Sequence, residues 1–336
     1  MGRGGNTCTS VETDSADKFF DLCCESRDLY PLFAAELLEE TGVDIELERT
    51  GTLDLAFADE DAVKLKTRYE WQRSQAMSVE HLTAEQVLEL EPNISPNVRE
   101  ALLFPNDWQV ENRKLVTALR HYAELNGIQT IENTLVTRII IENGKGSGVE
   151  TNNGTFAADT VVIATGAWTS LIELGETNAP VKIEPVRGQI LAFRPRVPML
   201  KHVVYSSSGY LVPRVDGRIL AGSTTEHVGF DTTTTSEAAE RLKQIAIEIA
   251  PGLAEYEPDD HWSGLRPFAA DGLPVIGDLP GIDGVFVATG HYRNGILLAP
   301  LTARIAADRL VNGISTRNAY VFGPSRFTEP DIAHAP

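Results

Sequence analysis

The apolar positions change period along the chain, and each change marks an element. Phe20, Leu22, Cys23, Leu29, Phe33, Leu37 and Leu38 recur near the helical repeat, which predicts a helix over 17–41 that stops at Gly42. Pro31 falls inside it and predicts a kink or a division. Leu53, Leu55 and Phe57 alternate with polar residues, the pattern of a half-buried strand. A charged helix is expected over 59–75. Thr83 and Gln86 have capping-box spacing and open a short helix to Leu90. Another helix covers 111–126 and is closed by Gly127.

Strand patterns take over from Ile128, in segments 128–131, 135–141, 148–151 and 160–165. Asn143-Gly144 and Asn153-Gly154 mark tight turns between them, so a small antiparallel meander should lead into a buried strand. A second strand-rich region spans 186–223, with strands at 189–193, 202–205, 210–213 and 218–221. After a polar loop at 232–235, Ser236 is expected to cap a helix to Ala250, stopped by Pro251-Gly252. A strand over 257–265, a turn at Asp271-Gly272, a strand over 285–289 and a last helix over 294–311, ended by Gly313, complete the pattern. The tail after Pro324 reads as loose. The fold class is α/β, of the mixed α+β kind.

Two segments echo each other. Val161-Val162-Ile163-Ala164-Thr165-Gly166 and Val285-Phe286-Val287-Ala288-Thr289-Gly290 are continuous apolar runs that break at glycine. Such runs belong in a sheet covered on both faces, where ligands collect at the carboxyl ends of strands. The alternative is two unrelated core strands ending in turns.

Composition narrows the function. A net charge of −19 disfavours nucleic acid as a partner. The three cysteines, Cys8, Cys23 and Cys24, suggest neither a disulfide framework nor a zinc site, and they fit a reducing cytoplasm. No apolar stretch approaches the length of a membrane span, and the polar stretch 1–17 has no secretory h-region.

Three segments carry candidate chemistry. In Gly290-His291-Tyr292-Arg293-Asn294-Gly295-Ile296-Leu297 a buried strand enters a Gly-flanked loop that opens a helix. A helix N-terminus there favours an anion or an electron-rich ring edge, and Arg293 lies within reach of a ligand. Arg293 as a solvated residue at a helix start is the alternative. In Trp262-Ser263-Gly264-Leu265-Arg266-Pro267, Arg266 ends the expected strand before a turn, and its planar fork suits a carboxylate. A structural pairing with one of the 48 acidic residues is the other reading. Tyr205 and Tyr210 either orient a small polar substrate or pack at a core edge.

These segments resemble the C-terminal half of the D-amino acid oxidase superfamily of FAD-dependent oxidoreductases and, within it, the glycine oxidases of thiamine biosynthesis. Gly290–Pro300, Gly264-Leu265-Arg266-Pro267 with Asp271-Gly272 and Pro274, Pro185–Gln189, Ala164–Trp168 and Ser26–Pro31 carry the likeness, which extends from about Glu12 to Val311. The resemblance implies FAD as cofactor, a small amino acid and molecular oxygen as substrates, a homotetramer and a cytoplasmic setting. It implies that Arg266 and Arg293 hold the substrate carboxylate and that Tyr210 and Tyr205 line the substrate pocket. It assigns Val136, Thr165, Gly166, His291, Tyr292, Arg293, Asn294, Gly295, Ile296 and Leu297 to the cofactor, and it requires no acid–base residue. Sarcosine oxidase and D-amino acid dehydrogenase chemistry are the nearest enzymatic alternatives.

The resemblance also implies a two-domain fold. Residues 17–50, 111–180 and 264–313 would belong to a discontinuous FAD-binding domain, and 51–110 and 181–263 to a substrate domain. Residues 1–16 would be a disordered or non-native start, and 314–336 a tail. The superfamily opens on a βαβ unit with Gly-x-Gly-x-x-Gly, whose amides cradle the pyrophosphate. Gly2-Arg3-Gly4-Gly5 does not supply it. The expectation is an N-terminally truncated chain that binds FAD weakly and turns over slowly, or a non-catalytic remnant.

Overall fold

The computed structural model describes residues 6–7, 17–174, 181–314 and 321–327. In chain order the elements are β1 (Asn6–Thr7), α1 (Lys18–Thr41), β2 (Thr52–Ala56), α2 (Asp59–Ser74), β3 (Glu80–Thr83), α3 (Ala84–Leu90), β4 (Glu100–Phe104), β5 (Trp108–Gln109) and α4 (Asn112–Leu125). Then come β6 (Val136–Glu142), β7 (Lys145–Thr151), β8 (Gly154–Ala157), β9 (Val161–Ile163), a 3-10 turn (Gly166–Leu171), β10 (Glu173–Leu174) and β11 (Ile183–Phe193). The chain continues through β12 (Val203–Tyr205), β13 (Tyr210–Pro213), β14 (Ile219–Gly222), α5 (Ser236–Ile249), β15 (Asp260–Ala269), β16 (Val275–Asp278), β17 (Val285–Thr289) and α6 (Gly295–Asn312). Two compact units result. The first comprises Met1–Asn126, Arg187–Glu226 and Asp231–Gly264, and the second Gly127–Val186, His227–Phe230 and Leu265–Pro336.

The first unit is built on an eight-stranded sheet, ordered β15-β11-β14-β13-β12-β2-β4-β3. On one face Leu53, Leu55, Phe193, Val204 and Leu211 pack with Leu242, Ile245 and Ile249 of α5. On the other, Ala56, Leu102 and Phe104 pack with Leu65 of α2. β2 therefore lies between two layers and all five of its residues are buried, which corrects the half-buried expectation. Its polar position Asp54 is accommodated by Arg68 of α2, at 2.6 Å. A third cluster joins Ile190, Val203, Tyr205, Tyr210, Val212 and Leu220.

In the second unit β6, β7 and β8 form the expected antiparallel meander, joined by β10 into a four-stranded sheet. Asn143 and Gly144 make its first turn at φ 52° and 78°, the left-handed pair that a two-residue hairpin requires. A three-stranded sheet, ordered β16-β17-β9, faces a core of Ile139, Ile163, Leu174, Ile183, Val275, Val285 and Val287. β9 runs parallel to β17 in the register Val161↔Val285, Val162↔Phe286 and Ile163↔Val287. The two echoed segments are thus neighbours in one sheet.

Several expectations need correction. α1 runs through Pro31 as one helix, because one lost backbone bond is outweighed by the burial of Leu22, Cys23, Tyr30 and Leu37. Ile128–Ile131 is not a strand; Ile128 and Ile131 are exposed and no ladder organises them. Thr235, rather than Ser236, caps α5, accepting from the Ala238 N–H. β9 ends at Ile163 instead of Thr165, and Val162 is 45 % exposed, so this strand is not covered on both faces. β15 continues four residues beyond Leu265, so Arg266 and Pro267 lie inside a strand and the turn follows at Ala269–Gly272. Residues 321–327 are docked rather than loose. Phe322 is buried and accepts from the Ile276 N–H, and Arg326 grips Asp271 at 2.7 Å. The expectations for residues 1–5, 8–16 and 328–336 lie outside the described residues.

Candidate active site

In the second unit the parallel strands β9 and β17 lead into two glycine turns. Thr165 precedes Gly166, at φ 55°, and Thr289 precedes Gly290, at φ 72°. A Cβ added at Gly166 meets nothing within 4 Å, whereas at Gly290 it would press on Val275, Ala269 and the Leu273 carbonyl. The first glycine therefore opens onto free space. The second permits close packing under the loop that follows.

That loop is His291-Tyr292-Arg293-Asn294, and the end of β15 holds it in place. Phe268 bridges His291, and the Tyr292 N–H donates to the Pro267 carbonyl at 2.9 Å. Tyr292 adopts φ 46°, a left-handed conformation that costs a bulky residue about 1 kcal/mol or more. Its ring is fixed edge-on against Phe268, with centroids 5.0 Å apart, and the Arg293 guanidinium lies 5.2 Å from its centroid. Backbone pairing and ring packing together hold the strained residue. The loop ends in α6, 18 residues long, whose positive N-terminal end begins at Gly295.

Arg266 lies one residue before Pro267 in the same strand and is 3 % exposed. The structure thus brings Arg266 beside the His291–Arg293 loop, through the backbone contacts of Pro267 and Phe268. His291 donates or accepts at Thr302 Oγ1, 2.9 Å away, and burial lowers its imidazolium to about 4, so the ring is neutral at pH 7. Ile296 and Leu297 open α6, with Leu297 buried beneath it. Val136 starts β6 opposite Thr151, in the other sheet of this unit.

Tyr205 and Tyr210 belong to the first unit. They are opposite one another across the β12–β13 hairpin, with ring centroids 5.3 Å apart, and both are buried. Gly222 of β14 makes room for this pair: a Cβ there would lie 2.4 Å from the Tyr210 hydroxyl oxygen. Gly222 belongs to none of the candidate segments above, although a glycine closing a β-rich segment signals a close approach.

The profile of the family described as DAO, FAD dependent oxidoreductase, matches residues 2–309. The chain belongs to this FAD-dependent oxidoreductase family. It is 36 % identical over 316 residues to a glycine oxidase of Geobacillus kaustophilus, covering 92 % of this chain and 83 % of that one. The crystal structure of the Geobacillus kaustophilus glycine oxidase superposes with a TM-score of 0.89 at 35 % identity, over 96 % of this chain and 87 % of the other. A bifunctional protein ThiO/ThiG of Synechocystis is 33 % identical over 336 residues, covering 98 % of this chain and 48 % of that protein.

FAD is the cofactor of this family, and the residues of the second unit fit its ring end. The open space at Gly166, the strained Tyr292 and the N-terminus of α6 all follow the carboxyl ends of two parallel strands, where ligands collect. The phosphate end is different, since the 336 residues contain no Gly-x-Gly-x-x-Gly. Among the described residues no group of three or more His, Cys, Asp or Glu could hold a metal, and no helix is long and apolar enough to cross a membrane.

Proposed function

We propose that this chain carries the substrate and flavin-ring site of an oxidase acting on glycine or another small amino acid. The observation that carries this reading is the docking of the His291–Arg293 loop on β15 immediately after the buried Arg266. An arginine so placed presents two parallel N–H donors, which suit a carboxylate. The substrate's α-carbon is thereby oriented, and orientation supplies much of the rate when no side chain moves a proton. Bound FAD supplies the electron sink that takes hydride from the α-carbon. Thr165, Gly166 and His291–Leu297 would hold its ring, and Val136 its adenine end. Arg293 would add positive charge at the carboxylate, and by resemblance Tyr210 and Tyr205 would contact the substrate. A neutral His291 offers no imidazolium at pH 7, consistent with hydride chemistry that needs no general acid.

The likeness to glycine oxidases, and to a bifunctional ThiO/ThiG protein, supports glycine as substrate and a place in thiamine biosynthesis. A cytoplasmic setting and a homotetramer complete the reading, and three cysteines without a disulfide pattern suit the former.

The test is peroxide formation with FAD added, comparing glycine, sarcosine and D-alanine. Glycine should give the highest kcat/KM. Arg266→Ala should lower it on the order of 100-fold, as when one partner of a charge-assisted pair is removed. Because the phosphate fingerprint is absent, the 336-residue chain should leave gel filtration less than half loaded with flavin and regain activity on adding FAD. Bound flavin with no peroxide from any of the three amines would sink the oxidase reading and leave a non-catalytic flavin-binding protein. Preference for sarcosine or D-alanine would move the assignment to those neighbouring activities.

A further inference from the structure

Three threonine hydroxyls lie between the ends of β9 and β17, and of their residues only Thr165 has been given a role above. Thr169 Oγ1 is 2.9 Å from Thr289 Oγ1, 3.1 Å from Thr165 Oγ1 and 2.8 Å from the Gly166 carbonyl oxygen. Thr289 Oγ1 is also 3.2 Å from that carbonyl. Thr169 and Thr289 are buried, at 0 % and 1 % exposure.

A hydroxyl offers one proton and two lone pairs. The Gly166 carbonyl only accepts, so the proton of Thr169 goes there. A lone pair can then take the proton of Thr165, and the Thr289 proton has both Thr169 Oγ1 and the Gly166 carbonyl oxygen within reach. Thr169 Oγ1 thus has three polar partners within hydrogen-bonding distance, in a place where an unmet hydroxyl is costly.

The position of this cluster gives it consequence. The β9–β17 register runs only to Ile163↔Val287. Beyond it the two backbones turn off through Gly166 and Gly290 into separate loops. Thr169 belongs to the 3-10 turn after β9, and Thr289 is the last residue of β17. The Thr169 and Thr289 side chains thus continue the connection past the end of the ladder, Thr289 two residues beyond Val287 and Thr169 six beyond Ile163.

Resting on the flavin reading above, we propose that Thr169 is a positioning residue for the cofactor. It fixes the spacing between the Thr165-Gly166 turn and the Gly290–Leu297 loop, the two segments that would flank the flavin ring. Gly166 is central, because its carbonyl is tied down while its open side faces free space.

The test compares Thr169→Val, which keeps the shape and removes the hydroxyl, with Thr169→Ser, which keeps the hydroxyl. Thr165→Val, at the half-buried rim of the cluster, serves as a milder variant that should fold if Thr169→Val does not. Amide hydrogen exchange is read without flavin over 164–168 and 288–293, and FAD affinity by fluorescence quenching. Thr169→Val should speed exchange in both segments on the order of tenfold and weaken FAD binding by a similar factor, as expected for about one lost hydrogen bond. Thr165→Val should move both in the same direction by less, and Thr169→Ser should restore both to within about twofold. Unchanged exchange in the valine variants would overturn the proposal. So would faster exchange with unchanged FAD affinity, which would make the cluster an ordinary core contact. An unsubstituted protein that binds no added FAD would overturn the flavin reading itself, and the exchange data would still show whether the cluster ties the loops.

Discussion

β2 in the first unit and β9 in the second reverse what their compositions suggest. Thr52-Leu53-Asp54-Leu55-Ala56 contains two polar residues and is buried throughout. Val161-Val162-Ile163 is wholly apolar, yet its middle residue is 45 % exposed. The difference lies in their neighbours. β2 is flanked by β12 and β4 and covered by helices on both faces, whereas β9 pairs with β17 alone among the described residues. A strand's own residues state which faces tolerate burial; the strands and helices beside it decide which faces receive it. The turn and loop read as the flavin-ring surface follow the less enclosed strand and its partner β17.

The largest expected effect tests the closed side of this contrast. Leu55→Ala removes a side chain that is 1 % exposed within the two-layered core and should cost about 2–5 kcal/mol. Chemical denaturation followed by tryptophan fluorescence and by circular dichroism measures it. A loss below about 1 kcal/mol would mean that the sheet closes around the gap, and the contrast with β9 would weaken.

A smaller effect probes the second unit by pH. Burial holds the His291 imidazolium at about 4, against about 6.5 in an unfolded chain. Between those values the unfolded chain binds a proton that the folded one does not. Stability is therefore intact above pH 6.5 and falls as the pH drops toward 4. Part of the residue remains at the surface, so the loss should be on the order of 1–2 kcal/mol rather than the full linkage value. His291→Gln should flatten the difference between urea midpoints at pH 7 and pH 5. An identical difference in the variant would place the acid sensitivity elsewhere.

Local signals in the sequence were read well where a short segment decides its own geometry. Gly42 closes α1 by donating to the Leu38 carbonyl, and Gly313 closes α6 at φ 68°. Thr83 and Gln86 exchange the two bonds of a capping box. Features set by tertiary context were not legible. Pro31 and Pro267 suggest breaks, but packing carries α1 and β15 through them. Arg266 and Arg293 were legible as a fork and a helix-start cation, and resemblance supplied their roles. That Arg266 and the His291–Arg293 loop share the end of β15 follows from a pairing some 25 residues apart in sequence, which no periodicity encodes. Thr169 and Gly222 escaped notice for the same reason: each matters through a partner far along the chain, Thr289 and Tyr210 respectively.

The smallest expected effect tests the open side. Val162→Thr keeps the β-branched shape that suits a strand and replaces one exposed methyl with a hydroxyl. If Val162 faces water in solution, as it does in the structure, stability should change by less than about 0.5 kcal/mol. The chain should also aggregate less, because an apolar residue on an unpaired edge is a template for association. The measurement is a denaturation midpoint at two protein concentrations, paired with light scattering. A loss above about 1 kcal/mol that grows with protein concentration would mean that another copy covers this edge in solution. In that event the contrast between β2 and β9 would be a property of the isolated chain, and the strand beside the Thr165-Gly166 turn would be as enclosed as the one it was contrasted with.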